Sequence, residues 1–351
     1  MPLLRHFFAG SNSGRGFFPL FQHIIGEDAQ RIYLLKGGPG TGKSHFMREL
    51  ASALGQQGYA RELFFCSSDS NSLDAVAFPD LGVALIDATR PHALEAEWPG
   101  CRDRLICLEN FLNSKNLQEH REEIMARGKE KQRYFTTAFR YFEAARLLEE
   151  NIVEKNHSYQ HETQDFLGDM MARLDKYRTS YTTPLGRQRH LFASALTPEG
   201  YVSHIRTLVA AYDQIYILTG DPGTGRPQCL EKLASHAQSV GVDTEIFHYP
   251  LDPHKILHLL IPELRLAVLT SLELDPLAYI PGVPVDFGVG AGPKINSGDE
   301  DLFRELLDLG FHALQQAKEC HGQLEAYYTE QMDFKALNLY REQILQEIIS
   351  L

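Results

Sequence analysis

The sequence predicts an α/β fold in two similar halves, each a β-rich unit with a parallel sheet followed by a charged helical segment. Three observations carry this expectation. Short apolar runs without alternation, "RIYLL", "GVALID", "QIYIL" and "RLAVLT", suit strands buried on both faces of a parallel sheet. An amphipathic stretch, "SHFMRELASAL", places Phe46, Leu50 and Leu54 at four-residue spacing and lies between two such runs. That gives the strand–loop–helix–strand order of an α/β unit with right-handed crossovers. The third observation is internal repetition. "RHFFA" at 5–9 recurs as "RHLFA" at 189–193, a shift of 189 − 5 = 184, and "GGPGTGK" from Gly37 recurs as "GDPGTGR" from Gly220, a shift of 220 − 37 = 183.

Each half opens with a short apolar run (6–9 and 190–193) and a Gly-containing turn, "SNSGRG" or "TPEG". A β-rich run then ends in a Gly-rich loop, and a helix is expected after it. "ELFFCSS" and "TEIFHY" read as the next strands, and "GVALID" and "RLAVLT" follow them. "ELAS" and "KLAS", and the trio Gly58, Glu62, Phe64 with Gly241, Glu245, Phe247, hold the same shift of 183. One shift sustained over this length predicts a tandem duplication with one fold per copy. Charged helical segments follow. Phe135, Phe139, Phe142 and Leu148 share one stripe, and Phe166, Met170, Leu174 and Tyr177 another; Leu302, Leu306, Leu314, Leu324 and Ile344 continue the pattern at the C-terminus. These are expected to be packing faces, with partner-binding arms as the sharper alternative. The expected boundaries are 1–112, 113–180, 181–297 and 298–351.

"GGPGTGKS" fits G-x-x-x-x-G-K-[ST], a phosphate-binding loop, in the required context of a strand before and a helix after. The glycines let the backbone turn its N–H groups toward an anion, and the helix start adds its positive dipole end. Gly38, Pro39, Gly40, Thr41, Gly42, Lys43, Ser44 and His45 are the expected nucleotide contacts. Lys43 is expected at the β- and γ-phosphates, and Ser44 on Mg²⁺. Asp87, ending "VALID", is the expected second metal anchor. No Glu follows it, so the usual water-activating neighbour is missing.

Asp69 is the candidate general base or outer metal ligand, beside Ser67, Ser68 and Asp74 in "CSSDSNSLD"; turn capping by the same residues is the alternative. Arg90, His92 and Glu109 are weaker candidates. The pairs His157/His161 and His254/His258 could each face one way on a helix, but no neighbouring cluster completes a metal-ligand set.

The second loop has lost these parts. Arg226 stands where Lys43 does, Pro227 at Ser44, Asp221 at Gly38 and Thr270 at Asp87. Proline fits a first helical turn but offers magnesium no hydroxyl. The rear half is therefore expected to keep the shape without Mg·NTP turnover, as a packing partner. A second possibility is that Arg226 or Arg187 acts across the interface on the first site.

Two copies of the R-H-x-F-A opening and the G-x-PGTG loop, with "SSDSNSLD" and "IDATRPH" after the first, resemble a little-characterised family of bacterial ATPases with duplicated P-loop NTPase domains. The resemblance covers nearly the whole chain, loosely in the helical segments. It implies a P-loop NTPase fold, ATP with Mg²⁺, and an ATPase or nucleotide-kinase-like activity. Site residues carry over at 37–44 and at Asp87. Arg226–Pro227 departs from the family pattern and puts two-site ATP cycling in doubt.

Composition narrows the remaining choices. The 351 residues are 43% hydrophobic with a net charge of −12. An acidic chain is a poor general grip for nucleic acid. There is no apolar stretch long enough to span a membrane, and the opening apolar run is too short for a signal peptide. Five cysteines without a CxxC pair read as reduced thiols, so a cytoplasmic protein is expected. The expected function is a slow Mg²⁺-dependent ATPase. The alternatives are a kinase with a small-molecule acceptor and a regulatory nucleotide-binding module, with a protein partner possible through the helical arms.

Overall fold

The structure, a computed structural model, describes residues 3–91, 94–156, 164–177, 184–288 and 297–351. The first half contains β1 (Leu4–Phe8), β2 (Gly10–Ser13), β3 (Gly16–Pro19), β4 (Arg31–Lys36), α1 (Lys43–Gln56), β5 (Arg61–Cys66), β6 (Asp69–Phe78), β7 (Val83–Asp87) and β8 (Asp103–Cys107). Helices α2 (Lys115–Glu119), α3 (Arg121–Asn156) and α4 (Gln164–Asp175) follow. The second half contains β9 (Gln188–Leu191), β10 (Ser194–Thr197), β11 (Gly200–Ser203), α5 (Ile205–Leu208), β12 (Gln214–Thr219), α6 (Arg226–Ser239), β13 (Thr244–His248), β14 (Ile256–Ile261), β15 (Leu266–Thr270) and β16 (Val283–Asp286). Helices α7 (Ser297–Thr329) and α8 (Phe334–Ile349) end the chain. No helix among the described residues is long and apolar enough to cross a membrane.

The α/β class holds, but the sheets are mixed rather than parallel. One sheet has the order β1-β5-β6-β7-β4-β8 and the other β16-β12-β15-β14-β13-β9, the same sequence of neighbours read from opposite ends. β1–β5, β7–β4 and β4–β8 pair in parallel, while β6 runs antiparallel to both β5 and β7. β14 stands in the same relation to β13 and β15. The physical reason is connection length. Only Ser67 and Ser68 link β5 to β6, and only 249–255 link β13 to β14. A parallel crossover needs a dozen or more residues, so each strand must turn straight back. This also corrects the helical reading of His254 and His258. His258 lies buried on β14, and His254 sits in the connection before it.

The strands are apolar throughout because both faces of each sheet are covered. Leu34 of β4 and Ile215 and Ile217 of β12 point into a core between the two sheets, shared with Phe7, Phe64 and Phe247. Tyr33 and Leu35 point the other way, under Phe46, Met47 and Leu50 of α1 and Ile344, Leu345 and Ile348 of α8. On the far side, Leu218 packs under Leu230 and Leu233 of α6 and Met170 and Leu174 of α4. The order of layers is helices, sheet, sheet, helices. Most of the stripe residues are packing positions as expected; Tyr177 and Leu302 are exposed.

The helical segments do not stay with the half that precedes them. α8 follows the second half but packs on α1 of the first. α4 follows the first half and packs on α6 of the second. The Tyr33 hydroxyl donates to Glu347 of α8 at 3.0 Å, and the Tyr216 hydroxyl, at the matching position, accepts from Arg173 of α4 at 3.0 Å. α3 and α7 lie against each other along their length, with Phe142 of α3 and Leu307 and Leu314 of α7 in a common core.

The seam between the halves pairs matching residues. Phe8 and Phe192 exchange backbone hydrogen bonds at 2.9 and 3.1 Å. β2 and β10 join across the seam into a four-stranded sheet of order β11-β10-β2-β3. Beside it, Arg5 of the first half binds Glu245 of the second in a two-pronged ion pair. Arg189 of the second half binds Glu62 of the first at 2.6 and 3.0 Å. Burial alone would lower the Arg5 pKa, but the hydrogen bond and charge of Glu245 outweigh it and raise it. Burial alone would raise the Glu245 pKa, and Arg5 outweighs that in turn, holding the carboxyl ionised.

Removing one member of this buried cluster leaves its partner only the longer cross contacts, Arg5–Glu62 at 3.3 Å and Arg189–Glu245 at 3.5 Å. Arg5→Ala and Glu245→Ala should each lower the unfolding free energy by about 3 kcal/mol in urea titrations, and the double variant by less than the sum. Additive losses would show that the two groups are not coupled.

Candidate functional site

The 37–44 loop lies between β4 and α1 at the carboxyl edge of its sheet. Parallel pairing of Leu35 with Asp87 and Lys36 with Cys107 brings the ends of β7 and β8 beside it. β1 and β5 run in the same direction, so the turn at Ser67–Ser68 and the start of β6 lie on that edge too. The edge therefore gathers the loop, Asp69, Asp87 and Arg90, as strand-end reasoning expects.

Within the loop, Gly40 (φ 70°) and Gly42 (φ 88°) adopt the left-handed conformation, and Gly42 caps α1. The buried Thr41 hydroxyl donates to the Gly38 carbonyl at 2.8 Å and closes the turn. Lys43 folds back over the loop, with Nζ 2.6 Å from the Gly37 carbonyl, 2.9 Å from the Gly38 carbonyl and 3.7 Å from the Asp87 carboxylate. The Ser44 hydroxyl accepts from the Leu73 N–H of β6 at 2.9 Å. Asp87 accepts from the Thr89 backbone N–H at 2.8 Å and from its hydroxyl. Lys43 and Asp87 thus form a polar pair at the head of α1, where Ser44 follows in the first turn and holds β6. The His45 side chain is exposed.

Asp69 is on the right edge but engaged. Its Oδ1 lies 2.8 Å from Lys318 of α7, and its Oδ2 accepts from the Ser72 hydroxyl at 2.7 Å. Burial would raise its pKa, yet the Lys318 and Ser72 hydrogen bonds outweigh that and lower it. A carboxylate so held is a weak base. Glu109 is exposed and sits in a short turn after β8. Arg90 is exposed. His92, His157 and His161 lie outside the described residues.

Motif reading misses the residues that α3 and α7 bring. Thr329 donates its hydroxyl to the Gly40 carbonyl at 3.3 Å. A methyl built on Gly40 would lie 2.5 Å from the Glu325 carbonyl oxygen, and one on Gly38 would lie 2.9 Å from the Tyr328 ring. Lys131 of α3 lies 3.2 Å from His321 Nδ1, and His321 Nε2 lies 3.6 Å from the Glu325 carboxylate. Burial and the charges of Lys131 and Lys43 lower the His321 pKa to about 4, so the ring is neutral near pH 7. These side chains carry no local signature. Their helical stripes show only which faces pack.

The second loop follows the same path. Gly223 and Gly225 both have φ of 92°, Gly225 caps α6, and the Thr224 hydroxyl donates to the Asp221 carbonyl at 2.8 Å. Arg226 is 7% exposed and donates to the Ser271 carbonyl at 2.7 Å within its own half. Arg187 is exposed and lies 3.8 Å from Asp28. Pro227 occupies the first turn of α6, and Thr270 is buried.

No protein-family model, curated protein or solved structure matches the chain.

Contact between the loop and α7 yields a controlled comparison. Gly40 and Gly58 both have positive φ, but only Gly40 faces another element. Gly58→Ala should lose about 1 kcal/mol of stability from backbone strain alone. Gly40→Ala should lose more in thermal melts, and its α7 should become more sensitive to limited trypsin. Equal losses with unchanged proteolysis would contradict the packing described.

Proposed function

We propose that the chain is a tandem P-loop protein that binds ATP with Mg²⁺ at residues 37–44, hydrolyses it slowly, and carries a rear copy of the loop that has lost nucleotide chemistry. The observation that carries this reading lies at the head of α1: Lys43 is folded over its own loop with the Asp87 carboxylate 3.7 Å away, and Ser44 is the next residue in the helix. Supporting it are the two left-handed glycines that shape a concave backbone, and the matching path of the second loop. The equal neighbour order of the two six-stranded sheets supports the duplication.

In this reading the backbone N–H groups of Gly38, Pro39-linked Gly40, Thr41, Gly42, Lys43, Ser44 and His45 surround the phosphates; proline itself supplies shape and no donor. Lys43 exchanges its two carbonyl partners for β- and γ-phosphate oxygens. The Ser44 hydroxyl and Asp87 are hard oxygen donors and fit Mg²⁺, which keeps most of its shell as water and phosphate. Among the described residues there is no group of three or more His, Cys, Asp or Glu placed to hold a metal ion, so an all-protein cage is not part of this reading. Magnesium would supply charge neutralisation on the phosphates. Thr89 orients Asp87. Asp69, paired with Lys318, is a poor base as it stands, in keeping with slow turnover.

In the rear half Arg226 is committed to Ser271, and Pro227 and Thr270 supply neither metal anchor. The first half accordingly binds the nucleotide, and the second supports it.

Mg·ATP binding to the full chain should be measurable by calorimetry, with phosphate release that ends on addition of EDTA. Lys43→Ala should weaken binding by about 10- to 100-fold. Arg226→Ala should lower the melting temperature and leave ATP affinity within about twofold. Phosphate transfer only after adding small-molecule acceptors would mark a kinase. Binding lost through Arg226 and kept without Lys43 would overturn the assignment.

A further inference from the structure

The phosphate loop of the first half is covered by a helix from the other end of the chain. The last turns of α7 lie directly on it, with the Glu325 backbone against Gly40, the Tyr328 ring against Gly38, and the Thr329 hydroxyl on the Gly40 carbonyl. The Glu325 side chain stands on the same turn; burial and the Asp69 charge raise its carboxyl pKa, and the Gly40 N–H, Lys43 and Lys131 offset part of that rise. Lys131 donates to neutral His321, whose other ring nitrogen lies 3.6 Å from the Glu325 carboxylate. A half-buried carboxylate on the turn of α7 that touches Gly40 thus stands beside a loop of the kind whose N–H groups take phosphate oxygens.

The rear half shows the same device in permanent form. The charge of Glu149 of α3 offsets part of the burial that lowers the pKa of Arg226, the loop residue that matches Lys43. Glu149 accepts from the Tyr249 hydroxyl at 3.0 Å, and Lys255 lies 3.9 Å away. Each arm therefore carries a glutamate into the half it does not follow. In the rear half the cation is itself buried and fixed to Ser271. In the front half Lys43 holds only main-chain carbonyls and a distant carboxylate.

We propose that Glu325 and the last turns of α7 form an internal plug of the first phosphate loop, and that Mg·ATP binds by displacing the Glu325 carboxylate. The inference rests on the nucleotide reading given above. A carboxylate and a phosphate are both anions, and two of them brought to one loop repel in a site partly shut off from water. Occupancy by one weakens the other. Because α7 lies along α3, displacement at the loop is felt by both arms.

Calorimetry of the full chain with Mg·ATP tests the plug. Glu325→Gln removes the charge and keeps the size; Glu325→Ala removes both. Each should bind Mg·ATP about tenfold more tightly than the natural chain. In the natural chain, hydrogen exchange across 321–332 should rise when Mg·ATP is added. Lys43→Ala separates the two ideas. If the natural chain binds, Lys43→Ala does not, and the Glu325 variants bind equally or more weakly, the plug is wrong and the nucleotide site stands. Added protection of 321–332 by Mg·ATP would overturn the plug in the same way, and would make Glu325 part of the working site. If neither the natural chain nor the Glu325 variants bind, both ideas fall. Should the variants not fold, the exchange measurement on the natural chain decides.

Discussion

The ion pairs Arg5–Glu245 and Arg189–Glu62 hold the two sheets in one relation, and the position of everything else follows from that relation. Three charges are buried at the seam and the fourth, Arg189, is partly buried; each acid is partnered by an arginine of the opposite half. Apolar packing between the sheets is non-directional and would tolerate sliding. Paired buried charges do not, because a shift would leave a charge without its partner in a low-dielectric interior. The reciprocal backbone bonds of Phe8 and Phe192 fix the same register one step away.

With the sheets so placed, each helical arm reaches across. α8 covers the outer face of the first sheet and α4 that of the second. The crossing lets α7 arrive at the 37–44 loop and α3 at Tyr249 and Lys255 of the rear half. Lys318 joins the seam from above, touching Asp69 of the first half and Glu199 of the second. Burial would lower the Lys318 pKa, but these two carboxylates outweigh it and raise it. A site at the end of one sheet is thus built from both ends of the chain, which ties any change at the loop to the helical arms.

The parts of this arrangement legible in the sequence are the local ones. The 37–44 loop is contiguous, so glycine, lysine and serine at fixed spacing announce its shape. Asp87 is legible because it ends an apolar run, and the pairing of β7 with β4 then brings it to Lys43. The mixed sheet was hidden by a short link. Ser67 and Ser68 look like a loop leading onward, and only the two-residue length of the connection forces β6 back. The arm residues were hidden for a different reason. Glu325 and Tyr328 meet the loop from the far end of the chain, with Lys131 and His321 behind them, and nothing near them in sequence marks the encounter. The arginines and glutamates of the seam stood at matched repeat positions, yet a repeat gives equivalence and not contact.

The most direct test is a crystal structure of the full chain with magnesium and a non-hydrolysable ATP analogue. The account predicts triphosphate density inside residues 37–44, Lys43 on its terminal oxygens, a metal ion at Ser44 and Asp87, and no nucleotide at the rear loop. A triphosphate seated against Arg226, with the front loop still closed around its own lysine, would contradict it.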